Sequence, residues 1–201
     1  MCHVLVILKY LYRGFHDLLV MKRSLIVALD QEWGMGNRGS PQPMPVYVPE
    51  DLQHFKETTT GNTLLCGRKT FETFPEKPLP NRNTIVLSHQ SEQSLRDEYG
   101  VHDNLYFADG FEDGLSMHYL DLSDTTLYVA GGQTVYQSAL EQGLVDEALI
   151  SRFPISLGCD MRFPRETFQQ YDWDANHHVI RTEADTGFNE FRIEQYTKES
   201  L

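Results

Sequence analysis

Apolar positions in this chain gather into short continuous runs: Ser24–Leu29 (SLIVAL), Thr63–Cys66 (TLLC), Thr84–Ser88 (TIVLS), Thr126–Ala130 (TLYVA) and Ala148–Phe153 (ALISRF). Runs of this length without alternation predict strands buried on both faces of a sheet. Between them the period changes. Pro49-Glu50-Asp51 predicts a helix start, with proline at a first helical position and acids near the positive end of the dipole. Leu52 and Phe55 share a face of that helix, and Asp51, four residues before Phe55, borders it. A short helix is expected around Lys69–Phe74. A longer one runs from Gln133 to Gln142, where Val135, Tyr136, Ala139 and Leu140 recur at helical spacing. Residues 89–125 are polar and turn-rich, with one weak strand near Leu105–Phe107. The segments His177–Thr182 and Glu190–Tyr196 predict an antiparallel hairpin joined near Thr186-Gly187. Strands alternating with helices give an α/β fold with a mostly parallel twisted sheet, flanked by helices and ending antiparallel.

Composition narrows the partners. A chain of 201 residues with 40% hydrophobic and 23% charged residues reads as one soluble domain with a core of its own. A net charge of -12 argues against nucleic acid or an anionic membrane, since both require a basic field. It also makes the few arginines more telling, because a phosphate must find its cations locally. Cys2, Cys66 and Cys159 are far apart and form no zinc or CxxC spacing, which fits a reducing cytoplasm. Cys66 reads as a small buried hydrophobe. Residues 1–21 stand apart: the apolar run Val4–Leu8 is too short to span a bilayer and lacks signal-peptide flanks. They are read as an N-terminal extension without assigned chemistry, before a domain covering 22–201.

Candidate chemistry gathers at strand ends. In α/β proteins a strand that turns into a helix offers free N–H groups and a positive dipole to phosphate. LLCGRKT is one such junction: Gly67 permits close approach, and Arg68 and Lys69 add charge. YVAGGQTVY is the second, where Gly131-Gly132 clears side chains from the main chain. Neither is a GxGxxG or Walker loop. Asp51 is either a solvated dipole partner, as Glu50 beside it reads, or an acid facing a cleft with Leu52 and Phe55. In the second case burial would raise its pKa and suit it to a protonatable heterocycle. Arg82 is either a turn residue or the partner of a substrate carboxylate. Eight histidines show no ligand spacing, His177 and His178 point to opposite faces of a strand, and no metal is expected.

Six ordered motifs together resemble the dihydrofolate reductase family over about Lys22 to Tyr196: SLIVAL with Gly34-Met35-Gly36, PEDLQHFK, LLCGRKTFE, PLPNRNTIVLS, YVAGGQTVY, and Asp160 to Pro164. The resemblance implies an eight-stranded sheet and NADPH-dependent reduction of 7,8-dihydrofolate, in a cytoplasmic monomer. It implies that Asp51 holds the amino-pyrimidine edge of the pterin, with Ser151 supporting it. Ala28, Leu52, Phe55, Phe74 and Leu79 would line the substrate and Arg82 would take its glutamate carboxylate. Arg68, Lys69 and Thr70 with Leu87, Ser88 and His89 would receive the adenosine phosphates. Gly67 and Ala130, Gly131, Gly132, Gln133, Thr134, Val135 and Tyr136 would form the pyrophosphate turn and nicotinamide wall, joined by Met35, Gly36 and Met44. The chain departs from the family in the loop SPQPMPVYVPED, which carries about three extra residues. Its usual tryptophan position holds Val46, or Tyr47 if the gap lies elsewhere; Trp33, nearby in sequence, is a candidate for the missing ring. A related reductase of a ribosylated pyrimidine in riboflavin synthesis shares the sheet and cofactor half, and a nucleotide-binding homologue without turnover is the other alternative.

Overall fold

The computed structural model describes residues 22–40, 42, 44–122 and 124–198, so the extension read for residues 1–21 lies outside the described residues. The apolar runs become β1 (Arg23–Leu29), β3 (Thr63–Gly67), β4 (Asn83–Leu87), β6 (Leu127–Val129) and β7 (Glu147–Arg152), joined by β5 (Leu105–Ala108), β9 (Trp173–Arg181) and β10 (Glu190–Lys198). They form one eight-stranded sheet of order β5-β4-β3-β6-β1-β7-β10-β9. Every pair from β5 to β7 is parallel, while β7–β10 and β10–β9 are antiparallel. A small second sheet pairs β2 (Gly34–Gly36) with β8 (Met161–Arg162).

Six helices among the described residues cover the two faces. On one face lie α1 (Pro49–Thr59), α2 (Arg68–Glu72) and α3 (Glu92–Tyr99). They bury Phe55, Phe71 and Leu95 against Ile26, Leu64, Cys66 and Val86. On the other lie α4 (Phe111–Asp121), α5 (Gln133–Glu141) and α6 (Arg165–Phe168), which cover Leu25, Val27, Leu29, Leu65, Ile85 and Ile150. Alternate residues of a strand face opposite sides, so this division fixes which side chains can meet.

Residues 89–125 depart from the expectation of a turn-rich stretch, since α3, β5 and α4 all lie there. Helix α3 buries only Leu95, so it lacks an apolar stripe; it is held by a Ser91 cap accepting from the Ser94 N–H and by the Arg96–Glu92 pair at 2.6 Å. Helix α4 hides behind Gly114, which reads as a breaker in sequence. A Cβ there would lie 2.9 Å from Leu87 and 3.0 Å from Leu65, so the helix needs glycine to reach the sheet.

Candidate active site

Asp51 sits in the first turn of α1, after Pro49 and beside Glu50. The two acids diverge. Glu50 accepts from the Thr182 hydroxyl at 2.8 Å and the Glu183 N–H at 3.2 Å, and the backbone N–H at the helix start does most to hold its carboxyl below the usual range, as expected of an acid at the positive end of a dipole. Asp51 instead faces the sheet. Desolvation pushes its carboxyl up to about 6, opposed by a hydrogen bond from Ser151. Ser151 lies opposite Ala28 across the parallel β1–β7 pair, so both residues face the α1 side.

The apolar wall beside the acid forms as expected at three of its positions. Phe55, Phe74 and Leu79 join one cluster with Ile26, Leu64 and Tyr128. Leu52 stays outside it, 49% exposed at the rim. Arg82 is not a surface turn residue. It is 6% exposed, donates to Pro80 O at 3.1 Å and Thr59 Oγ1 at 3.0 Å, and lies 6.0 Å from the Phe55 ring centroid. Among the described residues no acid pairs with it. Burial lowers its pKa and the charge of Glu76 partly offsets that; hydrogen-bonded only to uncharged oxygens, the guanidinium suits an incoming carboxylate.

The two glycine junctions meet directly: the Gly67 N–H donates to Gly131 O at 2.7 Å. Gly131 has φ 106, and a Cβ on it would lie 3.1 Å from the Tyr136 hydroxyl. A Cβ on Gly132 would lie 3.3 Å from Thr70 Oγ1. Behind them Val135 and Tyr136 are buried, and the Tyr136 hydroxyl donates to Ile26 O at 2.8 Å, tying α5 to β1. Gln133 and Thr134 are exposed on the first turn of α5, which has no side-chain cap, and Ala130 leads into it half-buried. Bare helix N–H groups beside a side-chain-free surface are what a pyrophosphate requires.

Register brings three strand ends together. Gly67 pairs with Leu87 and Leu87 with Ala108, so Arg68, Ser88 and Asp109 follow on adjacent strands. Arg68 pairs with Glu72, to which the Tyr99 hydroxyl also donates at 2.9 Å. Lys69 is exposed. His89 Nδ1 lies 3.0 Å from Asp109 Oδ1, an acid that sequence reasoning missed because β5 was only weakly legible. Leu87 turns its side chain towards Gly114 on the other face, so only its backbone is left for a ligand.

Upstream, Met44 and Val46 pack with Ala28 around Val48, Phe153 and Phe191. Tyr47 points outward at 62% exposure. Trp33 does not supply the missing ring: it stacks on Phe163 at 5.9 Å and under Arg152 at 4.2 Å, on the face opposite Ser151. Met35 packs against the same α5-side core, and Gly36, at φ 136, closes β2. Among the described residues no group of side chains could hold a metal ion.

A family model described as dihydrofolate reductase matches residues 22–198. A dihydrofolate reductase of Staphylococcus aureus is 30% identical over 157 residues, which cover 77% of this chain and 84% of the relative. One from Candida albicans is 30% identical over 160 residues, covering 72% and 77% respectively. A bifunctional dihydrofolate reductase-thymidylate synthase of Paramecium tetraurelia is 28% identical over 166 residues; the match takes in 83% of this chain but only 32% of that longer relative. Among solved structures, dihydrofolate reductase from Enterococcus faecalis complexed with NADP(H) and RAB-propyl shares the fold, with a TM-score of 0.71 at 24% identity over 89% of this chain and 97% of that one. With the family model spanning the whole described sheet, the chain belongs to the dihydrofolate reductase family.

Proposed function

We propose that the chain catalyses NADPH-dependent reduction of 7,8-dihydrofolate to 5,6,7,8-tetrahydrofolate. The observation that carries this is a desolvated acid, Asp51, one helical turn before Phe55, and a buried arginine, Arg82, beside the same Phe55 ring, which clusters with Phe74 and Leu79. A folate offers a polar heterocycle at one end, an aromatic linker and a carboxylate at the other. The ribosylated-pyrimidine alternative gives Asp51 and Arg82 no such use.

When bound, NADPH would supply a hydride for pterin carbon 6. The chain's own residues do the placing. Asp51, held by Ser151, takes the amino-pyrimidine edge and orients the ring, while water delivers the proton to nitrogen 5. Phe55, Phe74 and Leu79 exclude water from the ring, and Arg82 anchors the far carboxylate. Gly131 and Gly132 leave the pyrophosphate in contact with α5, and Arg68, Ser88 and His89 receive the 2′-phosphate. We place this activity in the domain from residue 22 onward, acting as a cytoplasmic monomer. The two buried free cysteines support a reducing compartment.

Purified protein with NADPH and dihydrofolate should consume the reduced cofactor, and Asp51→Asn should slow it roughly a hundredfold or more while NADPH affinity stays within about twofold. Absence of turnover with cofactor binding intact would refute the activity. Wild-type rates in the variant would remove Asp51 from it.

A further inference from the structure

On the sheet face opposite Asp51 lies a second cavity of about 650 Å³, within the range of small-molecule sites. Strand alternation sets its side: Arg152 follows Ser151 in β7, and Arg152 stacks on Trp33, a wall of the cavity. The other walls are Phe168, Tyr171, Trp173 and Tyr196. Their polar edges are turned into the protein. The Trp173 Nε1–H donates to Phe168 O at 2.9 Å, the Tyr196 hydroxyl to Glu194 Oε2 at 3.1 Å, and the Tyr171 hydroxyl to Leu140 O. These groups present mainly ring carbon, suited to stacking, while Gln169 and Asp172 supply the polar part of the lining.

Two cations stand over these rings. Arg165 Cζ lies 5.2 Å from the Trp33 ring centroid, and Lys198 Nζ lies 4.5 Å from that of Tyr171. Arg152 is matched by Glu194 at 3.3 Å, but Arg165 and Lys198 have no acid partner among the described residues. They donate only to uncharged oxygens, Gln169 Oε1 at 3.2 Å and Gly143 O at 3.3 Å. Neither cation lines the cavity itself; each stands over a ring that does, Arg165 over Trp33 and Lys198 over Tyr171. The one acid in the lining, Asp172, is exposed at its mouth.

We propose that this cavity binds a planar aromatic anion, its ring stacked against the tryptophans and its charge shared by Arg165 and Lys198. None of the residues lining the cavity takes part in the proposed reduction. The protein carries its own reporter, because its two tryptophans, Trp33 and Trp173, both line the cavity. Titration with 8-anilinonaphthalene-1-sulfonate should quench tryptophan emission along a saturable one-site curve that excess NADPH and dihydrofolate leave in place. Arg165→Glu and Lys198→Glu should each weaken the probe at least about fivefold, and Asp172→Asn should tighten it. The uncharged analogue N-phenyl-1-naphthylamine should bind the variants as it binds the parent. Arg165 is exposed and Lys198 half-buried, and an unchanged melting curve for each reversal confirms that the fold is kept. Unsaturable quenching, displacement by NADPH or dihydrofolate, or equal probe affinity in parent and charge-reversed proteins would each overturn the proposal.

Discussion

Glu50 and Asp51 are neighbours on one helical turn, yet the fold puts one on Thr182 and the other beside Ser151. Composition could not separate them; the face of α1 each occupies does. The consequence for stability has a definite sign. The folded carboxyl of Asp51 is pushed up to about 6 from an ordinary 3.8, so folding favours its protonated form. That contribution is fully present below pH 3.8 and is lost as pH rises through 6. At neutral pH the ionised acid therefore sits where it costs stability. Asp51→Asn should stabilise the protein by roughly 1–3 kcal/mol at pH 8 in urea denaturation, with the gain shrinking towards zero at pH 4. A variant no more stable than the parent at pH 8 would mean that the acid is fully solvated.

Among the elements, those with a continuous apolar run or a helical stripe were legible, and those built otherwise were not. Strands β1, β3, β4, β6 and β7 and helices α1 and α5 fall within a residue or two of their expected limits. The failures are α3 and α4, one without a stripe and the other interrupted by Gly114. The site divides in the same way. Asp51, Arg82 and both glycine junctions announce themselves through neighbouring residues, whereas Asp109 reaches His89 only because β4 and β5 lie in register. Gly114 also yields a test. Alanine there gains at most about 1 kcal/mol of helix propensity but forces a methyl against Leu87 and Leu65, which typically costs about 1–3 kcal/mol. Gly114→Ala should thus lower the denaturation midpoint, and adding Leu87→Val should restore part of the loss. Simple additivity of the two changes would disprove the steric account.

At the scale of the molecule, one buried histidine sets an acid limit on the α4-covered face. His118 is fully buried, and neither ring nitrogen has a hydrogen-bond partner among the described residues. Burial lowers its pKa to about 4 from 6.5, so the unfolded chain takes up a proton that the folded one refuses. Stability from this group is complete above pH 6.5 and is lost as pH falls towards 4, opposite in sign to Asp51. His118→Leu should leave the melting temperature at pH 7 unchanged or higher and should flatten its fall between pH 6.5 and pH 4.5. A parallel fall in both proteins would shift the acid limit to the carboxylates.

The bond from Thr182 to Glu50 also orders events during synthesis. Glu50 is made early, but its partner lies in the turn of the final hairpin, 132 residues later. Ser151, which braces Asp51, arrives 100 residues after it in the numbering, and β10 then seals the open edge of β7. A nascent chain therefore carries its glycine cradle and first strands out of the ribosome well before its acid is fixed in place. A chain that stops before Ser151 and the final hairpin leaves Asp51 unbraced, Glu50 without Thr182 and the β7 edge open.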